Sequence, residues 1–317
     1  MLAHRTVAVV LLALSALVVP PSHMPANAVE LSPEMATGAI AFAANPSIIL
    51  ESQEVVITQD RITVTYGLRN NASMPQSLLL TFAMPDLDVA AIADNETAAE
   101  KFEQHNFIGA ATQVDGQPVT MLFEQRALAL GLDVTASLKA ARLPLVSAVG
   151  TFSQKLAALE PGLRLDLLER GILKEDGPAI VPAWTVKSVG YWRQTFSPGP
   201  ATIVHTYQPI AGSGDYHADL LPVLRKRHCL TAAQEGAIAA LSLRRSAAQL
   251  TSIGYLATAG GDAFGPARRF RIIIEMSDPA TLVASCREGL RRTGPLQLEW
   301  SATDYSHEED LQVLFAR

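Results

Sequence analysis

Apolar residues Ile62, Val64, Tyr66 and Leu68 alternate with Arg61, Thr63, Thr65 and Arg69, so an extended chain here would be oily on one side and polar on the other. A period of two is the mark of a half-buried β-strand. The alternation returns at Leu78, Leu80, Phe82 and Met84 until Pro85, which has no amide to give a ladder, ends it. Asn70-Asn71-Ala72-Ser73 between the two runs has turn chemistry, so they are expected to pair as a hairpin or to lie as near neighbours in one sheet. Asp115-Gly116, set between runs ending at Val114 and starting at Val119, predicts a second hairpin in the same sheet, closed by a type I′ turn with positive φ at both residues.

From Arg126 to about Pro182 the pattern changes to leucine and alanine at helical spacing, broken by Pro144 and by Glu160-Pro161-Gly162, which predicts several short helices. Leu156, Leu159, Leu163 and Leu167 would supply their packing stripe. Strand signals resume between Trp184 and Pro209, with Ser197-Pro198-Gly199-Pro200 read as a hairpin turn and Ile203, His205 and Tyr207 on one face. Thr231-Ala232-Ala233-Gln234 has the form of a capping box and opens a helix near 231–249. Phe270 to Met276, Leu296 to Trp300 and Leu311 to Phe315 then alternate again. Strands clustered in two blocks with helices between them indicate an α+β, mainly β fold of antiparallel, sandwich-like blocks. The expected division is an N-terminal β-block at 29–125, a helical insertion at 126–183 and a C-terminal β-rich block at 184–317.

The first 28 residues form no part of that plan. Arg5, the apolar run Val7 to Val19, Pro20-Pro21 and Ala26-Asn27-Ala28 read as an export signal cleaved after Ala28, with an apolar run too short to span a bilayer. Cleavage would remove Arg5 alone among charged residues, moving the formal charge from −6 to −7. This places the mature protein in the periplasm or outside the cell, with no membrane span left. An acidic chain with scattered cations also lacks the footprint of a nucleic-acid binder. In an oxidising compartment Cys229 and Cys286 are expected to form a disulfide, since a redox pair would call for close spacing such as Cys-x-x-Cys.

Chemistry-bearing motifs are sparse. Gly-x-Ser-x-Gly, the elbow that exposes a hydrolase serine, is absent. In Asp215-Tyr216-His217-Ala218-Asp219, extended alternation would set two carboxylates and an imidazole on one face, a candidate divalent-metal site. Solvated loop polarity accounts for the same residues without a metal. Tyr191, Trp192 and Phe264 are candidate recognition aromatics, although large aromatics in strands usually fill a core. No cofactor motif is present.

Ile57 to Asn70 followed by Leu80-Thr81-Phe82-Ala83-Met84-Pro85-Asp86 resembles the bacterial family called domain of unknown function 4424. Glu124 to Ala127, Gly190 to Phe196, His205 to Pro209, Tyr255 to Gly261, Phe270 to Ile274 and Asp310 to Phe315 agree with it in order across nearly the whole mature chain. The resemblance implies an exported envelope protein and brings no catalytic residues with it. The expectation is a non-enzymatic module that binds an envelope protein or peptide through loops or a sheet edge. The alternatives are a metal-assisted hydrolase centred on Asp215, His217 and Asp219, and a structural assembly subunit.

Overall fold

A computed structural model describes residues 35, 37–42, 45–93, 101–245, 248–257, 265–306 and 309–317. The export signal with its cleavage site after Ala28, and Phe264, lie outside the described residues.

The fold is α+β and mainly β, built from several antiparallel sheets with few helices, as the sequence pattern predicts. An eight-stranded sheet runs in the order Arg291–Gly294, Gln297–Tyr305, Ala267–Glu275, Ile48–Ile57, Ile62–Asn70, Gly199–Tyr207, Ala111–Val114 and Gln117–Val119. Its strands come from both β-rich stretches of the chain, joined where Ile48–Ile57 and Ala267–Glu275 pair in parallel. Alternation is obeyed: Ile62, Val64, Tyr66 and Leu68 are at most 2% exposed while Thr63, Thr65 and Gly67 between them are half-buried. Asp115 and Gly116 take φ of 49° and 77°, the pair of left-handed residues that a type I′ turn requires.

Packed against this sheet is a six-stranded one, in which Leu132–Asp133, Leu122–Ala129, Thr185–Phe196, Gln76–Ala83 and Ile40–Phe42 follow one another and Leu87–Asp88 also pairs with Thr185–Phe196. Phe82 from this sheet meets His205 and Tyr207 from the other, with ring centroids 4.2 and 5.4 Å apart. Two of the expected hairpins are instead crossings between these sheets. Ile62–Asn70 pairs with Gly199–Tyr207 in one sheet, and Gln76–Ala83 pairs with Thr185–Phe196 in the other. The antiparallel ribbon therefore passes from sheet to sheet at Asn70–Gln76 and Phe196–Gly199 together. Asn70 holds the corner: its Nδ2 donates to the carbonyls of Phe196 and Met74 at 3.0 and 3.2 Å, and its Oδ1 accepts from Ala72 N at 2.9 Å. Turn residues showed where the ribbon bends, but pairing was decided by which side of the core each strand could cover.

A five-stranded sheet of Thr37–Gly38, Gln249–Leu256, Leu311–Ala316, Leu282–Ala284 and Gly212–Asp215 completes the framework. Ile253, Tyr255, Val313 and Phe315 join the main core, whereas Leu250, Leu314 and Ala316 belong to a second cluster with Leu224 and Ile238 of the helices Leu221–His228 and Ala232–Arg245. The second helix starts at a true capping box, with Gln234 N donating to Thr231 Oγ1 at 3.3 Å and Thr231 N to Gln234 Oε1 at 2.9 Å. Cys229, left-handed at φ 51°, ends the first helix and is bonded to Cys286 just beyond Leu282–Ala284, tying the helical layer to the sheet.

Between Ala129 and Thr185 lie the short helices Thr135–Ala140, Val149–Ala157 and Pro161–Glu169 and the small hairpin Leu173–Asp176/Ala179–Pro182. They cover one end of the core through Leu138, Phe152, Leu167 and Trp184, each at most 2% exposed.

Candidate functional site

The outward face of the six-stranded sheet is not covered. Along Thr185–Phe196 the inward residues Val186, Ser188 and Trp192 are buried, so Lys187, Val189 and Tyr191 must point out. Ladder register sets their neighbours: Tyr191 lies between Leu122 and Thr81, Val189 between Glu124 and Ala83, and Lys187 opposite Arg126. The result is an open groove of about 510 Å³, with Leu79, Leu128, Val189 and Tyr191 as its apolar surface and Thr81, Glu124, Arg126 and Lys187 as its polar one. This size is within the range of small-ligand and peptide sites.

Two cations facing each other across a ladder repel. Each has its own counter-charge: Lys187 Nζ is 2.7 Å from Asp86 Oδ2, and Arg126 is 2.6 Å from Glu124 Oε1 and 3.7 Å from Asp133 Oδ2. The hydrogen bond from Thr135 lowers the Asp133 carboxyl below its ordinary value, and the Glu124 hydrogen bond raises the Arg126 guanidinium. The groove wall is thus a charge-matched strip. Just past it, the turn Leu130-Gly131 carries Leu130 at φ 51° and 81% exposed. A left-handed leucine costs about 1–2 kcal/mol relative to ordinary backbone, and little burial offsets that here.

Of the aromatics singled out from sequence, strand alternation separates two. Tyr191 is half-buried and lines the groove, while Trp192 is 4% exposed in the core and its Nε1 has no acceptor to donate to. Asp215, His217 and Asp219 are all exposed. The strand ends at Asp215, whose carboxylate accepts from Gln249 Nε2, and Ala218–Leu220 is a 3₁₀ turn that buries Leu220. The extended alternation needed to align the three therefore stops halfway. Among the described residues no group of three His, Cys, Asp or Glu side chains gathers in a way that could hold a metal ion.

Sheet edges offer only short terminal strands for strand addition, two to four residues long among the described residues, although residues 122–126 pair with no described strand on their outer side. Buried imidazoles offer no acid–base chemistry either. His205 is 0% exposed, its Nδ1 2.7 Å from Thr112 Oγ1, and burial pulls its pKa from 6.5 to about 3. Tyr191 apart, the groove residues were invisible as a site in the sequence, since Leu79, Leu128 and Val189 come from three strands that register alone brings together.

These features define a mainly antiparallel β protein with a charge-rimmed groove on an open sheet face. No helix among the described residues is long and apolar enough to cross a membrane. The chain belongs to the family described as Domain of unknown function (DUF4424), whose sequence profile matches residues 28–314. No curated protein matches the chain. Among solved structures it is similar to a crystal structure of a protein from Legionella pneumophila subsp. pneumophila str. Philadelphia 1 described as a putative nutrient binding protein. The identity is 10%, the TM-score 0.48, and the match covers 90% of this chain and 72% of that one. A likeness at that level leaves the functional reading to the residues themselves.

Proposed function

We propose that this protein is an exported, non-enzymatic binding module of the cell envelope that holds an extended segment of another protein in the groove centred on Tyr191. The observation that carries the reading is the uncovered outer face of Gln76–Ala83, Thr185–Phe196 and Leu122–Ala129, where apolar and ionised side chains share one channel. Five ladder rows at roughly 6.8 Å and three strands at roughly 4.8 Å span a face on the order of 27 by 10 Å. A stable dimer needs about 800 Å² per partner, so a face of this size suits a peptide segment better than a second folded surface. The exposed leucines at 122, 130 and 132 extend the apolar surface along the hairpin beside the channel. Export is supported by the composition of the leader and by the Cys229–Cys286 bond, which an oxidising compartment preserves.

A photo-reactive residue replacing Tyr191 tests this in cells. It is expected to cross-link to a defined protein segment, whereas the same group replacing Arg269 on the eight-stranded sheet is not. Equal capture at the two positions would refute the assignment of the groove.

A further inference from the structure

A second cavity, of about 420 Å³, lies on the other side of the strand that walls the groove: Glu124, Arg126 and Leu128 face the groove, and Gln125 between them faces this cavity. It opens at the start of the helix Val149–Ala157. That helix begins without a side-chain cap, because the cap position is Ala148. The amides of its first turn have no carbonyl within the helix to bond, and together they carry the positive end of the helix dipole. Thr151 and Lys155, four residues apart, fall along one side of the helix, and both line the cavity together with Ser147, which lies just ahead of the extended cap residue Ala148. Ser147 is the more telling. It is 2% exposed, and its Oγ has no hydrogen-bond partner. A buried hydroxyl left unpaired costs free energy that a ligand oxygen would recover.

We propose that this cavity binds a phosphate group, held by the Ser147 hydroxyl, the first-turn amides of the helix and the Lys155 ammonium. A tetrahedral oxyanion suits the set because donors from backbone, hydroxyls and a cation outnumber what a carboxylate's two oxygens take most readily. Lys155 makes no ion pair among the described residues, so its charge is available. Pro144, Leu145 and Val146 form an apolar wall beside the donors, which gives an ester substituent of the phosphate a place to lie. Glu103 and His105 stand exposed on the rim. Glu103 opposes an anion, and its neutral replacement should strengthen binding.

Trp184 provides a built-in reporter, since its Nε1 donates to the carbonyl of the lining residue Leu145 at 2.9 Å. Titration of the mature protein with inorganic phosphate, followed by calorimetry and tryptophan fluorescence, is expected to saturate. Ser147→Ala and Lys155→Gln should each weaken binding about tenfold or more, as expected for charge-assisted hydrogen bonds. Glu103→Gln should tighten it several-fold. Lys155 and Glu103 are exposed, so their variants report on binding even if Ser147→Ala does not fold. Vesicles of phosphatidylglycerol in phosphatidylcholine distinguish the source: retention that free phosphate competes away assigns a lipid headgroup, and saturation without retention assigns a soluble phosphate. Failure of both probes, or binding untouched by Lys155→Gln and Glu103→Gln, overturns the proposal.

Discussion

Acidification from pH 7 to pH 5 should cost this fold about 4 kcal/mol, and the cost should come from His205 and His228. Both side chains are 0% exposed. His205 is wedged beside Phe82 and Tyr207, and desolvation lowers its pKa from 6.5 to about 3. His228 ends the helix Leu221–His228 with its Nε2 3.1 Å from Ser252 Oγ; desolvation, with the neighbouring Arg227 charge second, lowers its pKa to about 4. Both therefore stay neutral when folded, while in the unfolded chain each titrates near 6.5. With the folded pKa depressed, the stabilisation is complete above about 6.5 and is lost as pH falls toward the folded values. Between pH 7 and pH 5 each histidine of the unfolded chain goes from about a quarter protonated to almost fully protonated, while in the folded chain it stays almost unprotonated. Linkage turns this into about 2 kcal/mol each. The two sit in separate clusters, so the terms should add. Carboxylates held low by hydrogen bonds, such as Glu51 with Arg69 and Glu299 with Arg271, lose their stabilising charge mainly below this window. Urea denaturation at pH 7, 6 and 5 measures the slope directly. His205→Gln combined with His228→Gln lowers stability at pH 7 but should flatten the slope by about 4 kcal/mol across the window. A double variant that keeps the wild-type slope would falsify the assignment of neutral, buried imidazoles.

Three further outcomes can be measured by the same method. Reducing Cys229–Cys286, which closes a separation of 57 residues, should cost about 4 kcal/mol in the chain-entropy model, and a double serine variant should match the reduced protein. Asn70→Ala strands three polar groups at the inter-sheet corner and should cost about 2–3 kcal/mol; a loss below about 1 kcal/mol would mean the corner is held by something else. Leu130→Asn should gain roughly 1 kcal/mol, because asparagine tolerates the left-handed φ of 51° and the leucine is 81% exposed. A clear loss instead would show that Leu130 is packed in solution.

Strands were legible wherever one face is buried and the other is wet, as from Ile62 to Asn70, because the period of two is imposed by that boundary. Asp115-Gly116 and the Thr231–Gln234 box were legible for another reason: each closes its own hydrogen bonds within a few residues. Long-range pairing leaves no such local trace. Asn70-Asn71-Ala72-Ser73 and Ser197-Pro198-Gly199-Pro200 look like hairpin turns but carry the chain between sheets, since turn residues specify a bend and not the partner beyond it. The helix Leu221–His228 leaves little apolar periodicity in the sequence, because four basic residues fill its last turn and of its apolar residues Leu224 alone is fully buried. Those charges complement the negative end of the helix dipole, which is the signal that would have placed its end. The cavity beside Val149–Ala157 left a fainter one, the four-residue spacing of Thr151 and Lys155 in a helix whose cap position, Ala148, has no side-chain acceptor.

The groove draws its shape from what lies behind it. Thr185–Phe196 pairs with Leu122–Ala129 along its first half and with Gln76–Ala83 along its second, the two ladders overlapping at Val189, Gly190 and Tyr191, and its inward residues Val186, Ser188 and Trp192 are sealed in the core. Moving Tyr191 or Val189 would mean shifting Trp192 or Ser188, and close-packed interiors resist such shifts. A floor held this way is formed before any partner arrives, so binding would spend little free energy on ordering the protein side. The walls differ. Leu79 and Leu122 are 47% and 57% exposed, and the ion pairs of Lys187 and Arg126 lie at the surface, where side chains can re-pair with an incoming charge at low cost. If the groove holds a partner segment as proposed, a rigid apolar floor with exchangeable charged walls would tolerate varied polar positions in it while demanding an apolar one opposite Tyr191 and Val189. Selectivity at this site should therefore reside in one or two apolar anchors, with the charges setting orientation.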